Sequence, residues 1–169
     1  MSDHWKILND KILSLDEAII KTQSWKSKGD KIVFTNGCFD ILHLGHVTYL
    51  AKAASLGTKL IVALNTDESV KLLNKAPNRP IHNQVDRQLV VAGLSCVDGV
   101  ILFNDPTPIH CIESLLPDVL VKGGDYDAKE ENPENPKFIV GSTLIKKSGG
   151  AVITIDLVPG HSTTAILGK

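Results

Sequence analysis

Cysteine is scarce in this chain: three residues, Cys38, Cys96 and Cys111, an odd number with no paired spacing. That excludes a disulfide framework and a zinc-finger pattern, and a reducing cytoplasm is the expected compartment. No apolar run approaches the roughly 20 residues that span a bilayer, and the N-terminal "MSDHWKILNDKILSLDEAII" lacks an uninterrupted apolar stretch of signal-peptide type. Charge of one sign is missing too. A formal net charge of −1 argues against a nucleic-acid footprint. Neither the dinucleotide pattern G-x-G-x-x-G nor the P-loop pattern G-x-x-x-x-G-K-[ST] occurs.

What remains is an ordinary globular composition, 43% hydrophobic and 22% charged over 169 residues, enough for one domain with a core. The opening segment "SLDEAIIKTQSWKSKG" predicts a helix. Ser14 is its N-cap, Glu17 the capping-box partner and Gly29 the stop, with Leu15, Ala18, Ile19, Thr22 and Trp25 on one face. From Lys31 onward, short β-branched runs alternate with helical patterns. "KIVFTN", "KLIVALN", "GVILF", "DVLVKGG" and "AVITID" read as strands. "HVTYLAKAASLG", "TDESVKLL", "QVDRQLVVAGL", "TPIHCIESLL", a stretch near "KFIVGSTLIKKSG" and a short terminal "STTAILG" read as helices. The strands are apolar throughout rather than alternating, the mark of a parallel sheet covered on both faces. The expectation is an α/β, Rossmann-like, doubly wound parallel sheet of about five strands, a single domain with an N-terminal helical extension. The extension takes residues 1–30 and the domain residues 31–169. "DAKEENPENPK", residues 127–137, reads as a mobile surface excursion.

Ligands of such sheets bind at the carboxyl ends of the strands. The residues to interrogate are therefore Thr35 to Asp40, Asn65 to Asp67, Lys122 to Asp125 and Pro159 to Thr164. The first group runs into "TNGCFDILHLGH". Gly37 and Gly45 allow backbone to approach a ligand closely. His46 falls in the first turn of the following helix, where exposed N–H groups favour anions, and His43 reaches the same point from the loop. Two imidazoles at a helix mouth suit a phosphoryl group. His-x-x-His is also half a metal site, but no matching pair of ligands lies elsewhere, so no metal-ligating residues are assigned. Ser162 and Thr163 also read as a helix N-cap with its neighbour. Lys71 and Lys75, one helical turn apart, also read as a solvated face, and Asp67 as complement to a helix dipole. Arg87, early in an otherwise apolar helix, needs a partner, either a phosphate or a structural carboxylate. Cys38 is a small residue whose backbone N–H matters, not a nucleophile.

The full string "NGCFDILHLGH" resembles the signature of the H-x-G-H nucleotidyltransferase superfamily. Within it, "FTNGCFDILHLGHVTYLAKAASLG", "LIVALNTDESVKLLNK", "NRPI", "DRQLVVAGLSCVD", "LLPDVLVKGGDY" and "GHSTTAIL" are similar, in that order, to the adenylyltransferases for D-glycero-β-D-manno-heptose 1-phosphate. The resemblance runs from about Lys31 to Lys169. It implies transfer of AMP from ATP to the sugar 1-phosphate, with pyrophosphate leaving, in a free-standing enzyme.

Residue by residue, the resemblance implies catalysis by His43, His46 and Lys122. Thr35, Asn36, Gly37, Cys38, Phe39 and Gly45 would hold the nucleotide, with Gly123 and Asp125 against it and Ser162 and Thr163 on the outer phosphates. For substrate binding, Asp40 would face the sugar phosphate or help orient the site, Asn65 and Asp67 would line the pocket between nucleotide and sugar, and Lys71, Lys75, Arg79 and Arg87 would anchor the sugar phosphate. Mg²⁺ would be bound mainly through the ATP phosphates, and a homodimer is expected; no nucleic-acid or membrane partner is. The cytidylyltransferases share "CFDILHLGH" and "STT" but carry an Arg-Thr-Glu-Gly lead-in to the latter. The lead-in here is "LVPGH", which favours ATP over a CTP-dependent reaction on glycerol 3-phosphate or another polyol phosphate. A non-catalytic nucleotide-binding regulator is the further alternative. The acid- and proline-containing segment after "KGGDY" is longer than the pattern, and Gly168 ahead of Lys169 puts a terminal phosphate contact in doubt.

Overall fold

A computed structural model describes residues 3–73, 78–163 and 166. The strands are β1 (Ile32–Gly37), β2 (Lys59–Asn65), β3 (Gly99–Phe103), β4 (Val119–Gly123) and β5 (Ala151–Ile155). They form one five-stranded sheet in the order β3-β2-β1-β4-β5, every pairing parallel. The helices are α1 (His4–Asn9), α2 (Leu15–Ser27), α3 (Leu44–Ala54), α4 (Asp67–Leu72), α5 (Gln84–Ala92), α6 (Ile109–Leu115) and α7 (Ser142–Lys147). The chain winds outward from β1 through β2 to β3, then crosses back to the far side of β1 for β4 and β5. The winding therefore reverses at the β1/β4 boundary, where loops part and leave a crevice.

Alternation along each strand builds two cores from one sheet. Val33, Leu60, Val62, Leu64 and Val100 face one way, onto Tyr49, Leu50 and Ala53 of α3 and Val91 and Ala92 of α5. Ile32, Phe34, Ile61, Ala63, Ile101 and Leu120 face the other way, onto Ala18 of α2, Ile112 and Leu115 of α6 and Ile145 of α7. Both faces are covered, which is why the strand runs are apolar without a polar beat.

The N-terminal residues pack on this body. Ser14 and Glu17 close the capping box at α2, with the Ser14 N–H 2.8 Å from Glu17 Oε2 and the Glu17 N–H 3.2 Å from Ser14 Oγ. Gly29, at φ +86°, ends that helical stretch. Just before α2, the Leu13 N–H donates to the Val100 carbonyl and the Val100 N–H to the Lys11 carbonyl, so the chain pairs briefly with β3 at the sheet edge. Among the described residues no helix is long and apolar enough to cross a membrane.

Two expectations are corrected. The 127–137 excursion is tied by its own hydrogen bonds rather than loose. The Asp127 N–H donates to the Lys137 carbonyl at 2.9 Å. Asp127, Glu130, Asn132 and Asn135 accept backbone N–H groups one or two residues on. The acidic and amide residues that read as low complexity are turn-forming side chains. In addition, α7 starts at Ser142, not near Lys137, because the preceding residues finish these turns. For the terminal helix, the Ile166 N–H donates to the Ser162 carbonyl, one helical turn. Lys75, Gly168 and Lys169 lie outside the described residues.

Candidate active site

A cleft of about 580 Å³ opens over the carboxyl ends of the strands at the point of reversal. Its wall brings together Asn36 to Asp40, His43, Gly45, His46, Asn65, Arg79, Lys122, Gly123, Asp125, Ser162 and Thr163. Those residues are spread over some 130 positions of chain, counted from 36 to 163.

The turn after β1 makes the first part of the wall. Phe39 adopts φ +46°, the left-handed region that a bulky side chain rarely enters. This turns its ring back beneath Gly37, where a Cβ would meet it at 3.0 Å. The same ring packs against His46, centroids 4.9 Å apart. His43 is the N-cap of α3: its Nδ1 accepts the His46 backbone N–H at 3.4 Å. The two imidazoles then stack, centroids 3.8 Å apart and planes 22° from parallel.

Burial pushes the His46 ring down from 6.5 to about 4, and His43 pushes it the same way. Burial also lowers His43, with His161 adding to the effect. At neutral pH both rings of the pair are therefore uncharged. With Nδ1 occupied as an acceptor, neutral His43 carries its proton on Nε2 and acts as a donor without being a cation.

On the other side of the cleft, Lys122 leaves the end of β4. Its Nζ donates to Asn36 Oδ1 at 2.9 Å and lies 4.7 Å from the centre of the Tyr126 ring. The strap after β5 closes the circle. A Cβ on Gly45 would sit 2.9 Å from the His161 carbonyl and 3.0 Å from the His43 ring. The His43/His46 pair and the His161–Thr163 segment thus share one hollow, pressed together where only glycine fits.

Asp40 is 2% exposed and turned into the protein. It accepts from the backbone N–H groups of Ile81 and His82 at 2.9–3.0 Å and pairs with Arg79 Nε at 2.6 Å. Burial would raise its pKa, but the His82 and Ile81 amides, with Arg79, hold it below the usual carboxylate range. Asp40 pins the 79–82 segment onto the cleft, and its partner Arg79 lines the cavity. Asn65 donates to Ser69 Oγ at 2.9 Å and accepts from Cys38 Sγ at 3.7 Å, bracing the β1 turn against β2.

Several expected contacts lie elsewhere. Arg87 is 1% exposed, and its three nitrogens go to His82 O at 3.0 Å, Cys38 O at 2.8 Å and Asp67 Oδ1 at 2.7 Å. The partner is a structural carboxylate rather than a phosphate, so neither Arg87 nor Asp67 faces the cleft. Asp67 and Lys71 line a separate polar hollow beside Asn83 and Gln84. Thr35 is fully buried, its hydroxyl 2.7 Å from that of Tyr49, and contributes no surface.

Other lining residues escaped the sequence reading. Phe103 ends β3, the one strand end left uninterrogated, and Pro106–Pro108 follow it, while Pro136 closes the excursion and Phe138 comes just after it. His161 lay within an interrogated stretch, yet received no role because its neighbours Ser162 and Thr163 carried the resemblance.

Residues 34–168 match the family model described as cytidylyltransferase-like. The chain belongs to the cytidylyltransferase-like family. It is a transferase of the nucleotidyltransferase class. It is similar to the bifunctional protein HldE of Methylobacillus flagellatus, 47% identical over 95% of this chain and 31% of that protein. It is likewise similar to the bifunctional protein HldE of Wolinella succinogenes, 48% identical over 99% of this chain and 33% of that protein. The chain spans about a third of the length of these curated relatives. Among solved structures, the lipopolysaccharide core biosynthesis protein from Thermoplasma volcanium matches with TM-score 0.59 and 29% identity over 77% of this chain and 98% of that one. A pantoate-beta-alanine ligase from Francisella tularensis shares the fold, with TM-score 0.58 and 15% identity over 92% of this chain and 75% of that one.

Proposed function

We propose that this protein transfers AMP from ATP to D-glycero-β-D-manno-heptose 1-phosphate, giving ADP-heptose and pyrophosphate. The observation that carries the reading is the meeting of His43, His46, Lys122 and the His161–Thr163 segment around one cleft at the strand ends. The motif series from Lys31 onward supports the heptose acceptor, and the likeness to a lipopolysaccharide core biosynthesis protein fits a sugar acceptor.

The acceptor oxygen belongs to a phosphate monoester and is already ionised at neutral pH, so no general base is required. The obstacle is bringing two polyanions together, and the wall meets it with donors whose positions are set in advance. Neutral His43 offers Nε2–H, Lys122 offers a held ammonium, and Gly45 lets the two phosphate-facing segments close. In-line attack at the α-phosphorus then expels pyrophosphate, with developing charge on the phosphoryl oxygens met by these groups.

Mg²⁺ serves such reactions by neutralising the triphosphate. Among the described residues, no three His, Cys, Asp or Glu side chains gather as a metal set. Mg²⁺ prefers oxygen ligands, and the oxygens of Asp40 are occupied by amides and Arg79. These residues do not form a cage for it. Under this proposal the ion arrives on the phosphates, and no step runs through protein ligands to it.

The test is pyrophosphate release measured with ATP and CTP against heptose 1-phosphate and glycerol 3-phosphate. Turnover with ATP and the heptose is expected. Turnover with CTP and glycerol 3-phosphate alone would replace this reading with a polyol phosphate cytidylyltransferase, and ATP binding without any turnover would make the chain a silent regulator.

A further inference from the structure

His43 and His161 sit on either side of Gly45, yet their hydrogen bonds set them to opposite tautomers. His43 Nδ1 accepts a backbone N–H, so its Nδ1 is bare. His161 Nδ1 lies 2.9 Å from the Pro159 carbonyl oxygen. A carbonyl oxygen only accepts, so His161 Nδ1 must carry a hydrogen. In the neutral ring the other nitrogen, Nε2, is then a bare lone pair that repels a phosphate oxygen. His161 donates from Nε2 only as an imidazolium. His43 is ready for an anion while neutral; His161 becomes ready by taking up a proton.

The surroundings decide when that proton arrives. Among the described residues, the charged and titratable groups lining the cleft beside His161 are Cys38, Asp40 and its partner Arg79, His43 and His46 at the start of α3, and Lys122 and Asp125 at and beyond the end of β4. Tyr49 and Tyr126 also line it and stay neutral, burial pushing both phenols upward. The fixed charges of the ligand-free cleft balance, Arg79 being paired with Asp40 and Lys122 sharing the wall with Asp125. A bound polyphosphate adds negative charge beside His161 and favours the imidazolium, the form that can donate from Nε2.

We propose that His161 is a charge-switched binding residue for the outer phosphates, taking up a proton as a polyphosphate binds and giving it back as pyrophosphate leaves. This deepens the nucleotidyltransferase reading of the same cleft and rests on it. The strap after β5 then does more than contribute Ser162 and Thr163: its histidine makes nucleotide affinity rise as pH falls, while the neutral stacked pair stays in the same protonation state.

The experiment is calorimetric titration of the whole protein with MgATP and with pyrophosphate, each in two buffers of different ionisation enthalpy near neutral pH. The dependence of apparent heat on buffer reports protons exchanged per ligand bound, and comparison between variants cancels the ligand's own protons. Wild type is expected to take up a fraction of a proton more per ligand than His161→Gln. Its pyrophosphate affinity should rise several-fold, roughly five- to tenfold, as pH falls by about two units, the linkage expected when binding takes up a proton. In His161→Gln that rise should flatten, and the KM for ATP should increase more than kcat falls. His161→Lys, charged throughout, should keep high-pH affinity and lose the uptake. His43→Asn, which preserves an N-cap acceptor, should weaken binding and keep the uptake. Proton uptake unchanged in His161→Gln, or lost in His43→Asn but not in His161→Gln, would overturn the inference while leaving the functional reading standing. Failure of wild type to bind either ligand would sink both.

Discussion

Removing Arg87 should unfold the protein well before it alters substrate recognition. The residue reads in sequence as a cation seeking a partner, and its surroundings identify three. One guanidinium joins the β1 turn through Cys38 O, the 79–83 loop through His82 O and the start of α4 through Asp67. Arg87→Ala leaves a cavity, two carbonyls without their donor and a carboxylate without its cation. Breaking a buried ion pair from one side costs about 3–5 kcal/mol. The Asp67 side chain is 31% exposed and keeps some of its hydration, which favours the lower end. Two carbonyls deprived of a donor add about 1 kcal/mol each after water enters the void. A loss of about 4–5 kcal/mol follows, equivalent to roughly 8–20 °C in melting temperature for a chain of this size. Arg87→Lys should recover less than half, because a single ammonium cannot span three acceptors in three directions. Asp67→Asn alone should cost less, and the two substitutions together should fall short of additive by at least about 1 kcal/mol. Scanning calorimetry and urea unfolding of wild type and these four variants measure all of this. A melting point within about 2 °C of wild type in Arg87→Ala, with the KM for the sugar phosphate selectively raised, would refute the clamp and restore Arg87 as a substrate anchor.

Other substitutions probe the site itself. His46→Ala should lower turnover by on the order of 10²-fold, as for loss of one preorganised donor, with far-ultraviolet circular dichroism unchanged; near-full turnover would remove His46 from the chemistry. His46 also links stability to pH. Its folded pKa, about 4, lies below the ordinary 6.5, so the unfolded chain binds the proton first and stability falls as pH drops from 6.5 towards 4. At roughly 1.4 kcal/mol per pH unit, halved for solvent reaching the cleft, wild type should lose about 1 kcal/mol more than His46→Gln between about pH 7 and 5. Equal urea midpoint shifts in the two proteins would contradict this. Asp40→Asn, which gives up the charge paired with Arg79 and one of its two acceptor oxygens, should cost about 2–4 kcal/mol and loosen the 79–82 segment, seen as faster amide exchange at Ile81 and His82. Gly45→Ala should raise the KM for ATP about tenfold or more, because the His161 backbone carbonyl at 2.9 Å cannot yield as a side-chain tip can.

The architecture was legible because strand burial on two faces leaves an unmistakable mark: runs such as "KLIVALN" have no polar alternation, and each recurs after a helix-length interval. The capping box at Ser14 was equally plain, since it is a local interaction written in residues three apart. Site residues divided along the same line. His43, Gly45 and His46 lie within one turn, so their proximity follows from α-helical geometry. Asp40, Asp67 and Arg87 divided differently. Each carries a charge suited to a phosphate or sugar, and each is instead absorbed by a partner 20 or more positions away. No spacing rule predicts which distant group claims a charge; the fold decides it. The excursion at 127–137 misled for the converse reason. Its amide and acidic residues look solvating, yet in series they are turn formers, and the loop they close brings Pro136, with Phe138 just beyond it, to the cleft.

If the proposed reaction holds, a site for two polyanions in a chain of net charge −1 requires attraction without a standing positive field. Arginine supplies little of it: Arg87 is consumed in the clamp and Arg79 is paired with Asp40. Lys122 is the fixed cation at the end of β4. The rest falls to imidazoles kept neutral by burial and stacking, acting as oriented dipoles while the cleft is ligand-free. Neutral donors have a kinetic merit that fixed cations lack. Under the proposed reaction they would hold a triphosphate through directional hydrogen bonds whose strength grows as charge develops in the transition state, yet would add no permanent charge to retain the pyrophosphate afterwards. Replacing His43 by lysine should therefore tighten pyrophosphate binding while slowing turnover, with product release becoming rate-limiting. Pre-steady-state kinetics would show this as a burst of pyrophosphate formed on the enzyme, read by rapid quench, followed by a slow steady rate. Faster turnover in that variant would mean that charge, rather than preset direction, is what this cleft lacks.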